Sequence, residues 1–138
     1  AITATDVSRS TEIARIAALR DRLLEGLLAR VAGVVVNGDP TRKVAGSCHV
    51  RFEGVDAELL LVALDRAGVC AAAGSSCSSG ATQVSHVLRA MGMSDDDARS
   101  SVRFSLGHAS TDDDIDRALD VIPETVARLR AQRPLVSR

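Results

Sequence analysis

Aromatic side chains are almost absent from this 138-residue chain, which has no tryptophan, no tyrosine and two phenylalanines. Proteins that bind single-stranded nucleic acid usually stack the bases on aromatic rings, and this composition does not supply them. The 17 basic and 18 acidic residues leave a formal net charge of −1, and no stretch of the chain is strongly basic. We therefore expect no direct contact with nucleic acid.

Long apolar runs are missing as well. One of the longest, Leu59–Leu64, is far shorter than the ~20 residues needed to span a bilayer. The N-terminal sequence AITATDVSRS lacks the basic and apolar segments of a secretory signal. We expect a cytoplasmic protein that makes no contact with a membrane.

Cysteine and lysine are scarce. The three cysteines, Cys48, Cys70 and Cys77, are odd in number and have no CxxC spacing. This pattern argues against a disulfide framework and against a zinc site, and it suits a reducing compartment. Among the 17 basic residues a single one, Lys43, is a lysine.

Three main helices are predicted from apolar residues that recur at steps of three and four positions. The first runs from about Arg9 to Ala32. The second follows Asp56, a plausible N-cap, and stops at Gly68. The last ends before Pro134 and contains Pro123, which predicts a kink.

Short strands alternate with these helices. In CHVRF, the residues Cys48, Val50 and Phe52 share one face. In SVRFSL, Arg103 lies on the face opposite the apolar residues, and VCAAA predicts a brief apolar strand that includes Cys70. We predict one α/β or α+β domain over residues 1–138, in which helices cover a small sheet.

Two acidic runs, Asp95–Asp97 and Asp112–Asp114, follow Ser94 and Thr111 respectively. Clustered aspartates can hold a metal ion. Aspartates that follow a serine or threonine N-cap are, however, typical of the first turn of a helix, where they stabilise the helix dipole. We favour the helix starts and expect no metal site.

The stretch AAAGSSCSSGA surrounds Cys77 with small, uncharged residues. A nucleophilic cysteine must be reachable and deprotonated, from a usual pKa of ~8.5. No lysine or arginine lies between Ala67 and Leu88 to lower that pKa, and His86 is the basic residue nearby. Two interpretations stay open: a thiol that is activated from outside this segment, and an incidental cysteine in a Gly/Ser loop.

The motifs GSSCSSG, SHVLRAMG and SSVRFSLG resemble, in order and spacing, the C-terminal region of the cysteine desulfurases. These are fold-type I enzymes that depend on pyridoxal 5′-phosphate (PLP). The resemblance extends from RIAALRDRLLEGL to VARLRAQRPL, nearly the whole chain. The spacing between Cys77 and His86 is similar to the subgroup whose cysteine sits on a long mobile loop. The resemblance implies the family's C-terminal small domain, with the PLP-binding large domain absent from this chain.

The resemblance also implies roles for single residues. Cys77 matches the persulfide-forming nucleophile, and Arg103 matches the residue that pairs with the substrate carboxylate. A guanidinium suits a carboxylate because it donates two parallel hydrogen bonds; an ordinary surface ion pair is the alternative for Arg103. His86 matches a helix-start position, for which we expect a structural role. Cys48 and Cys70 are expected to be inert.

The family's PLP lysine follows a histidine, and this chain has no such pair. Lys43 lies in GDPTRKVAGS, where an arginine precedes it. The resemblance implies that PLP makes the C–S bond of cysteine labile in the intact enzyme. We therefore expect no cofactor site in this chain and no activity from the chain alone.

The resemblance implies that the full-length protein is a sulfurtransferase that converts L-cysteine to L-alanine. The sulfur is held as a persulfide on Cys77 and is passed to an acceptor protein, such as a scaffold or a sulfurtransferase. The family's enzymes are homodimers and feed iron–sulfur cluster assembly, tRNA thiolation or DNA sulfur modification. The alternative is a stand-alone, non-enzymatic sulfur carrier or structural domain.

Overall fold

A computed structural model describes residues 2–39, 41–73 and 86–132, with side chains from Ser8 onward. Its elements follow the alternation expected from the sequence. They are α1 (Ile2–Arg30), β1 (Val34–Val36), β2 (Ser47–Phe52), α2 (Ala57–Arg66), β3 (Ala72–Ala73), α3 (His86–Ala90), α4 (Asp95–Arg99), β4 (Ser101–Ser105) and α5 (Asp112–Ala131).

The four strands form one antiparallel sheet in the order β1-β2-β4-β3. The central pair is β2 and β4, in which Val50 lies opposite Val102 and His49 lies opposite Arg103. The short strand β3 closes the other edge, with Ala72 opposite Arg103. The predicted small sheet covered by helices is confirmed, and its antiparallel strands make it the α+β form.

Alternation along the strands directs one face of the sheet into the core. Val50 and Phe52 of β2 and Val102 of β4 are fully buried. The helices α1 and α2 pack against the sheet, and α5 packs against both of them. Their buried side chains include Leu23, Leu27, Leu60, Leu64, Ile122 and Val126.

The predicted helix starts are confirmed in the structure. The Asp56 carboxylate accepts hydrogen bonds from the backbone N–H groups of Glu58 and Leu59, at 2.9 and 3.2 Å. Thr111 and Asp114 form a reciprocal capping box at the start of α5. The aspartate runs lie in the first turns of α4 and α5, where a carboxylate stabilises the helix dipole.

Pro123 does not interrupt α5, which continues to Ala131. A proline cannot donate to the carbonyl four residues earlier, which here belongs to Leu119. That carbonyl accepts instead from Nη1 of Arg30 on α1, at 3.0 Å. The tertiary contact therefore replaces the hydrogen bond that Pro123 removes.

Two sequence expectations need correction. The first helix begins at Ile2 rather than near Arg9. Cys70, which the sequence placed in an apolar strand, lies outside the observed strand and is exposed, because β3 is reduced to Ala72–Ala73. No helix in the described part of the chain is both long and apolar enough to cross a bilayer.

Candidate functional site

The face of the sheet that points away from the core is polar, and we call it the outer face. Because side chains alternate along a strand, this face carries the residues between the core positions of β2 and β4. They are Ser47, His49, Arg51, Ser101, Arg103 and Ser105, together with Asn37 beyond the end of β1.

Arg103 lies near the middle of the outer face and is exposed. Within residues 8–39, 41–73 and 86–132 no aspartate or glutamate forms an ion pair with it. The alternative of an ordinary ion pair therefore has no partner in this part of the chain. A guanidinium that has no acidic partner among the described residues is suited to a planar group that accepts two parallel hydrogen bonds, such as a carboxylate.

His49 is the cross-strand neighbour of Arg103 on β2. Burial, and in second place the positive charge of Arg103, lower the pKa of this imidazole below its usual 6.5. Its Nε2 atom is buried and has no hydrogen-bond partner among the described residues. A buried polar atom without a partner costs about 1–3 kcal/mol, so an external hydrogen-bonding group would be stabilising here.

Asn37 lies beside His49 on the side away from Arg103. The His49 carbonyl accepts a hydrogen bond from the Asn37 N–H at 3.0 Å. The Asn37 amide is buried, and its Nδ2 donates to Oγ of Ser101 at 2.9 Å. Its Oδ1 has no partner among the described residues. The outer face thus has a continuous row of Asn37, His49 and Arg103 across three strands.

One end of the outer face is closed by α4. The Arg51 guanidinium lies 3.3 Å from the Asp97 carboxylate. Ser101 donates to the Asp97 carbonyl at 2.7 Å and is fully buried, although it shares a face with Arg103. These contacts cover the end of the face at Arg51 and Ser101, next to the row from Asn37 to Arg103.

A groove of about 220 Å³ lies beside this row, between β1, β2 and the loop that joins them. His49 and Asn37 line it from the sheet, and Arg42 and Lys43 line it from the loop. The other lining residues are Leu24, Val36, Gly38, Asp39, Ser47 and Met91.

The predicted nucleophile Cys77 lies outside the described residues, within residues 74–85. The described chain reaches this segment through β3, whose Ala72 lies opposite Arg103. The chain thus enters the segment containing Cys77 from the strand beside Arg103.

The other two cysteines differ from each other. Cys48 is buried in the core next to β4, and burial raises its pKa to about 11. This thiol is protonated and inaccessible, as the sequence alternation predicts. Cys70 is exposed; its expected inertness stays a prediction.

The remaining histidines are separate from the row. His86 begins α3, as the sequence predicts, and is exposed. His108 is exposed in the turn before α5, where its carbonyl accepts from Arg15 at 2.9 Å. Among the described residues no cluster of three or more histidine, cysteine, aspartate or glutamate side chains could hold a metal ion.

The described residues do not fit PLP, which needs a lysine, an acid for its ring nitrogen and donors for its phosphate. The one lysine, Lys43, lies in the β1–β2 loop. The nearby Asp39 carboxylate already accepts from the N–H and hydroxyl of Thr41, at 2.7 and 2.6 Å. The first turns of α4 and α5 each carry three aspartates, which repel a phosphate.

Sequence reasoning missed His49 and Asn37 as members of this site. The alternation in CHVRF places His49 on the polar face, but it does not say which strand lies beside it. The pairing of β2 with β4 joins residues fifty or more positions apart. The register was therefore the missing information.

Comparisons with known proteins give one consistent result. The family described as Aminotransferase class-V matches residues 3–118. An IscS-like cysteine desulfurase of Mycobacterium tuberculosis is 48% identical over 118 residues, which are 85% of this chain and 30% of the relative. A cysteine desulfurase of Gluconacetobacter diazotrophicus is 42% identical over 123 residues, 89% of this chain and 31% of the relative.

A solved structure has a fold similar to that of this chain. The NifS-like protein from Rickettsia africae ESF-5 is similar with a TM-score of 0.72 and 25% identity, over 86% of this chain and 30% of that one. The chain thus spans about 30% of the length of the relatives it matches.

Proposed function

Because the chain belongs to the class-V aminotransferase family, we propose that residues 1–138 are the C-terminal small domain of a cysteine desulfurase. The full-length enzyme converts L-cysteine to L-alanine, and polypeptide outside this chain binds its PLP. When bound, that cofactor supplies the electron withdrawal that makes a C–S bond labile. A stand-alone sulfur carrier is not favoured, since the relatives at 42–48% identity are named cysteine desulfurases.

The reaction needs no external oxidant or reductant. The C–S bond of cysteine breaks, and an S–S bond forms between the released sulfur and Sγ of Cys77. The proton lost from the Cys77 thiol balances the new C–H bond of alanine. The products are L-alanine and a protein persulfide, so this covalent step divides the sulfur transfer into two parts.

Arg103 is the observation on which the proposal depends. Its guanidinium is exposed on the outer face, without an acidic partner among the described side chains. In this proposal it pairs with the α-carboxylate of cysteine and fixes the orientation of the substrate. A fixed orientation converts the attack of a thiol into an effectively unimolecular step.

Cys77 receives the sulfur in this proposal, and the described cysteines support that choice. Cys48 is buried with a raised pKa, which makes it a poor nucleophile. The strand that precedes residues 74–85 is hydrogen-bonded to β4 beside Arg103. The segment that contains Cys77 therefore follows, along the chain, the strand that lies beside Arg103.

The persulfide then passes to an acceptor protein of the scaffold or sulfurtransferase type, in the cytoplasm. The full-length enzyme acts as a homodimer. Its sulfur goes to iron–sulfur clusters or to the modification of tRNA or DNA.

Persulfide mapping on the full-length enzyme tests the proposal. The enzyme is exposed to L-cysteine, alkylated and analysed by peptide mass spectrometry. We expect L-alanine as product and one additional sulfur atom on the peptide that contains Cys77. Cys77→Ser should abolish the persulfide, whereas the matched control Cys70→Ser should retain it. Additional sulfur on Cys48 or Cys70 in place of Cys77 would reject the assignment.

A further inference from the structure

Two buried polar atoms lie in the row across the outer face without a hydrogen-bond partner among the described residues. They are Nε2 of His49 and Oδ1 of Asn37. His49 occupies the middle of the row, between Asn37 and Arg103. Polar atoms withdrawn from water are normally paired. A polar ligand that enters this row therefore gains hydrogen bonds that the described part of the chain leaves unmade.

The charged groups around His49 favour an anion. The carboxylates among them are engaged, Asp39 by Thr41 and Asp97 by Arg51. The positive charges outnumber them and come from β4, from β2 itself and from the loop that lines the groove. These cations are Arg103, Arg51, Arg42 and Lys43.

The protonation state of His49 allows it to donate a hydrogen bond next to the positively charged Arg103. Its pKa is lowered by burial and then by Arg103, so the imidazole is neutral at neutral pH. A neutral imidazole retains one N–H donor and adds no second full charge next to Arg103. A carboxylate has about four lone-pair sites, enough to accept from a guanidinium and from one further donor.

We propose that His49 is a second substrate-binding residue, whose Nε2–H donates a hydrogen bond to the same carboxylate that pairs with Arg103. Directly opposite residues on adjacent strands have Cβ atoms about 4.5–5.5 Å apart, so the two side chains can reach one ligand. The inference rests on the proposed function, because the substrate is taken to be an α-amino acid. It assigns to this chain a two-residue carboxylate clamp.

Steady-state kinetics of the full-length enzyme test this role. His49→Phe keeps a ring suited to a strand but removes the donor, whereas His49→Gln retains an N–H near the position of Nε2. We expect His49→Phe to raise KM for L-cysteine about tenfold with kcat changed less than about twofold, and His49→Gln to recover most of the loss. The control His108→Gln should leave both constants unchanged.

Two kinetic results would overturn the inference. One is a KM for His49→Phe within about twofold of the wild type. The other is an equal rise in KM for His49→Phe and His49→Gln, which would indicate packing rather than a donor.

A second measurement does not depend on whether His49→Phe folds. The imidazole of His49 is titrated by NMR in the wild-type enzyme with and without L-alanine, and its signal is the one missing from His49→Gln. A bound carboxylate favours the charged imidazolium, so L-alanine should raise the pKa of His49. An unchanged titration at saturating L-alanine would overturn the inference.

The L-alanine titration separates this inference from the proposed function, because it requires no sulfur transfer. An enzyme that binds L-alanine through His49 but forms no persulfide contradicts the proposed function alone. An enzyme that forms the persulfide while the titration of His49 ignores L-alanine contradicts the carboxylate clamp alone.

Discussion

The proposed binding role of Arg103 makes a different prediction from a role in stability. The Arg103 side chain is exposed and has no acidic partner among the described residues, so its removal leaves no buried charge uncompensated. Its neighbours in the register, His49 and Ala72, are held by backbone hydrogen bonds of the sheet. A loss of function without a loss of stability is the expected signature.

We predict that Arg103→Ala raises KM for L-cysteine at least tenfold, because hydrogen bonds to charged groups contribute about 1.5–3 kcal/mol. Arg103→Lys should recover part of the loss, since it keeps the charge but not the two parallel donors. Kinetics of the full-length enzyme and urea unfolding of the same variants check this. A lowered unfolding midpoint for Arg103→Ala would indicate a structural role instead.

Cysteine reactivity gives a second prediction at the scale of residues. With a pKa of about 11, about one Cys48 thiol in a thousand is deprotonated at pH 8, and burial blocks reagents further. Iodoacetamide should therefore modify the exposed Cys70 at least about a hundred times faster than Cys48. Peptide mass spectrometry measures both rates. In guanidinium chloride the two rates should converge; equal rates in the native protein would contradict the buried position of Cys48.

At the scale of elements, α1 and α5 are held together by more than apolar contact. Arg22 forms ion pairs with Asp112 and Asp116 at the start of α5. Arg30 donates to the Leu119 carbonyl, the acceptor that Pro123 leaves without its helical donor. Exposed ion pairs contribute little, so the bond to the carbonyl is the more informative of the two contacts.

A double-mutant cycle tests this dependence. Arg30→Met should destabilise the chain by about 1 kcal/mol, because the Leu119 carbonyl loses its donor. In the Pro123→Ala background the new N–H takes the same carbonyl, so the cost of Arg30→Met should largely vanish. Urea unfolding of the four chains gives the coupling energy, expected near 1 kcal/mol.

The control for this cycle is Arg22→Met, whose effect should add to that of Pro123→Ala because the contacts of Arg22 lie at the other end of α5. Additive effects for Arg30→Met and Pro123→Ala would contradict the proposed exchange of donors.

The elements also mark how far the sequence was predictive. The start of α2 at Asp56 and its end before Gly68 could be predicted because a cap and a left-handed glycine act locally; Gly68 has φ of 79°. The length of β3 could not, because it depends on how far β4 extends beside it. The same limit led to the misplacement of Cys70.

The candidate site, too, could be predicted from the sequence only in part. The motif SVRFSL and the family resemblance single out Arg103, and the alternation places it away from the core. The alternation does not indicate that α4 covers Ser101 on the same face, nor that His49 lies opposite Arg103. Both facts arise from contacts between distant parts of the chain, which local patterns do not encode.

At the scale of the whole molecule, arginine side chains connect elements that are distant in the sequence. Several arginines donate to main-chain carbonyls of other elements, which compact point charges such as lysine match less well. Arg117 donates to the Ala67 carbonyl at the end of α2, at 2.9 Å. Arg130 donates to the carbonyls of Ala32 and Glu53, both at 2.8 Å. Such bonds join α5 to the end of α2 and to the residues next to β1 and β2.

The stability of the whole chain should depend on pH through His49. Its folded pKa lies below 6.5, so below pH ~6.5 the unfolded chain binds a proton that the folded chain does not. The free energy of unfolding should therefore fall as the pH drops from 6.5 towards the folded pKa, by at most about 1.4 kcal/mol per pH unit. Urea unfolding at a series of pH values measures this slope.

The carboxyl groups whose pKa is lowered affect the free energy of unfolding at a lower pH than His49 does. Asp39, Asp95 and Asp114 have pKa values held below the usual 3.8 by hydrogen bonds, so the stability they contribute is lost at more acidic pH. His49→Gln should abolish the slope just below pH 6.5 and leave the acidic range unchanged. His108→Gln, the exposed control, should retain both. If stability stays flat between pH 6.5 and 5 in the wild type, the imidazole of His49 is not withdrawn from water, and the row from Asn37 to Arg103 is open to solvent.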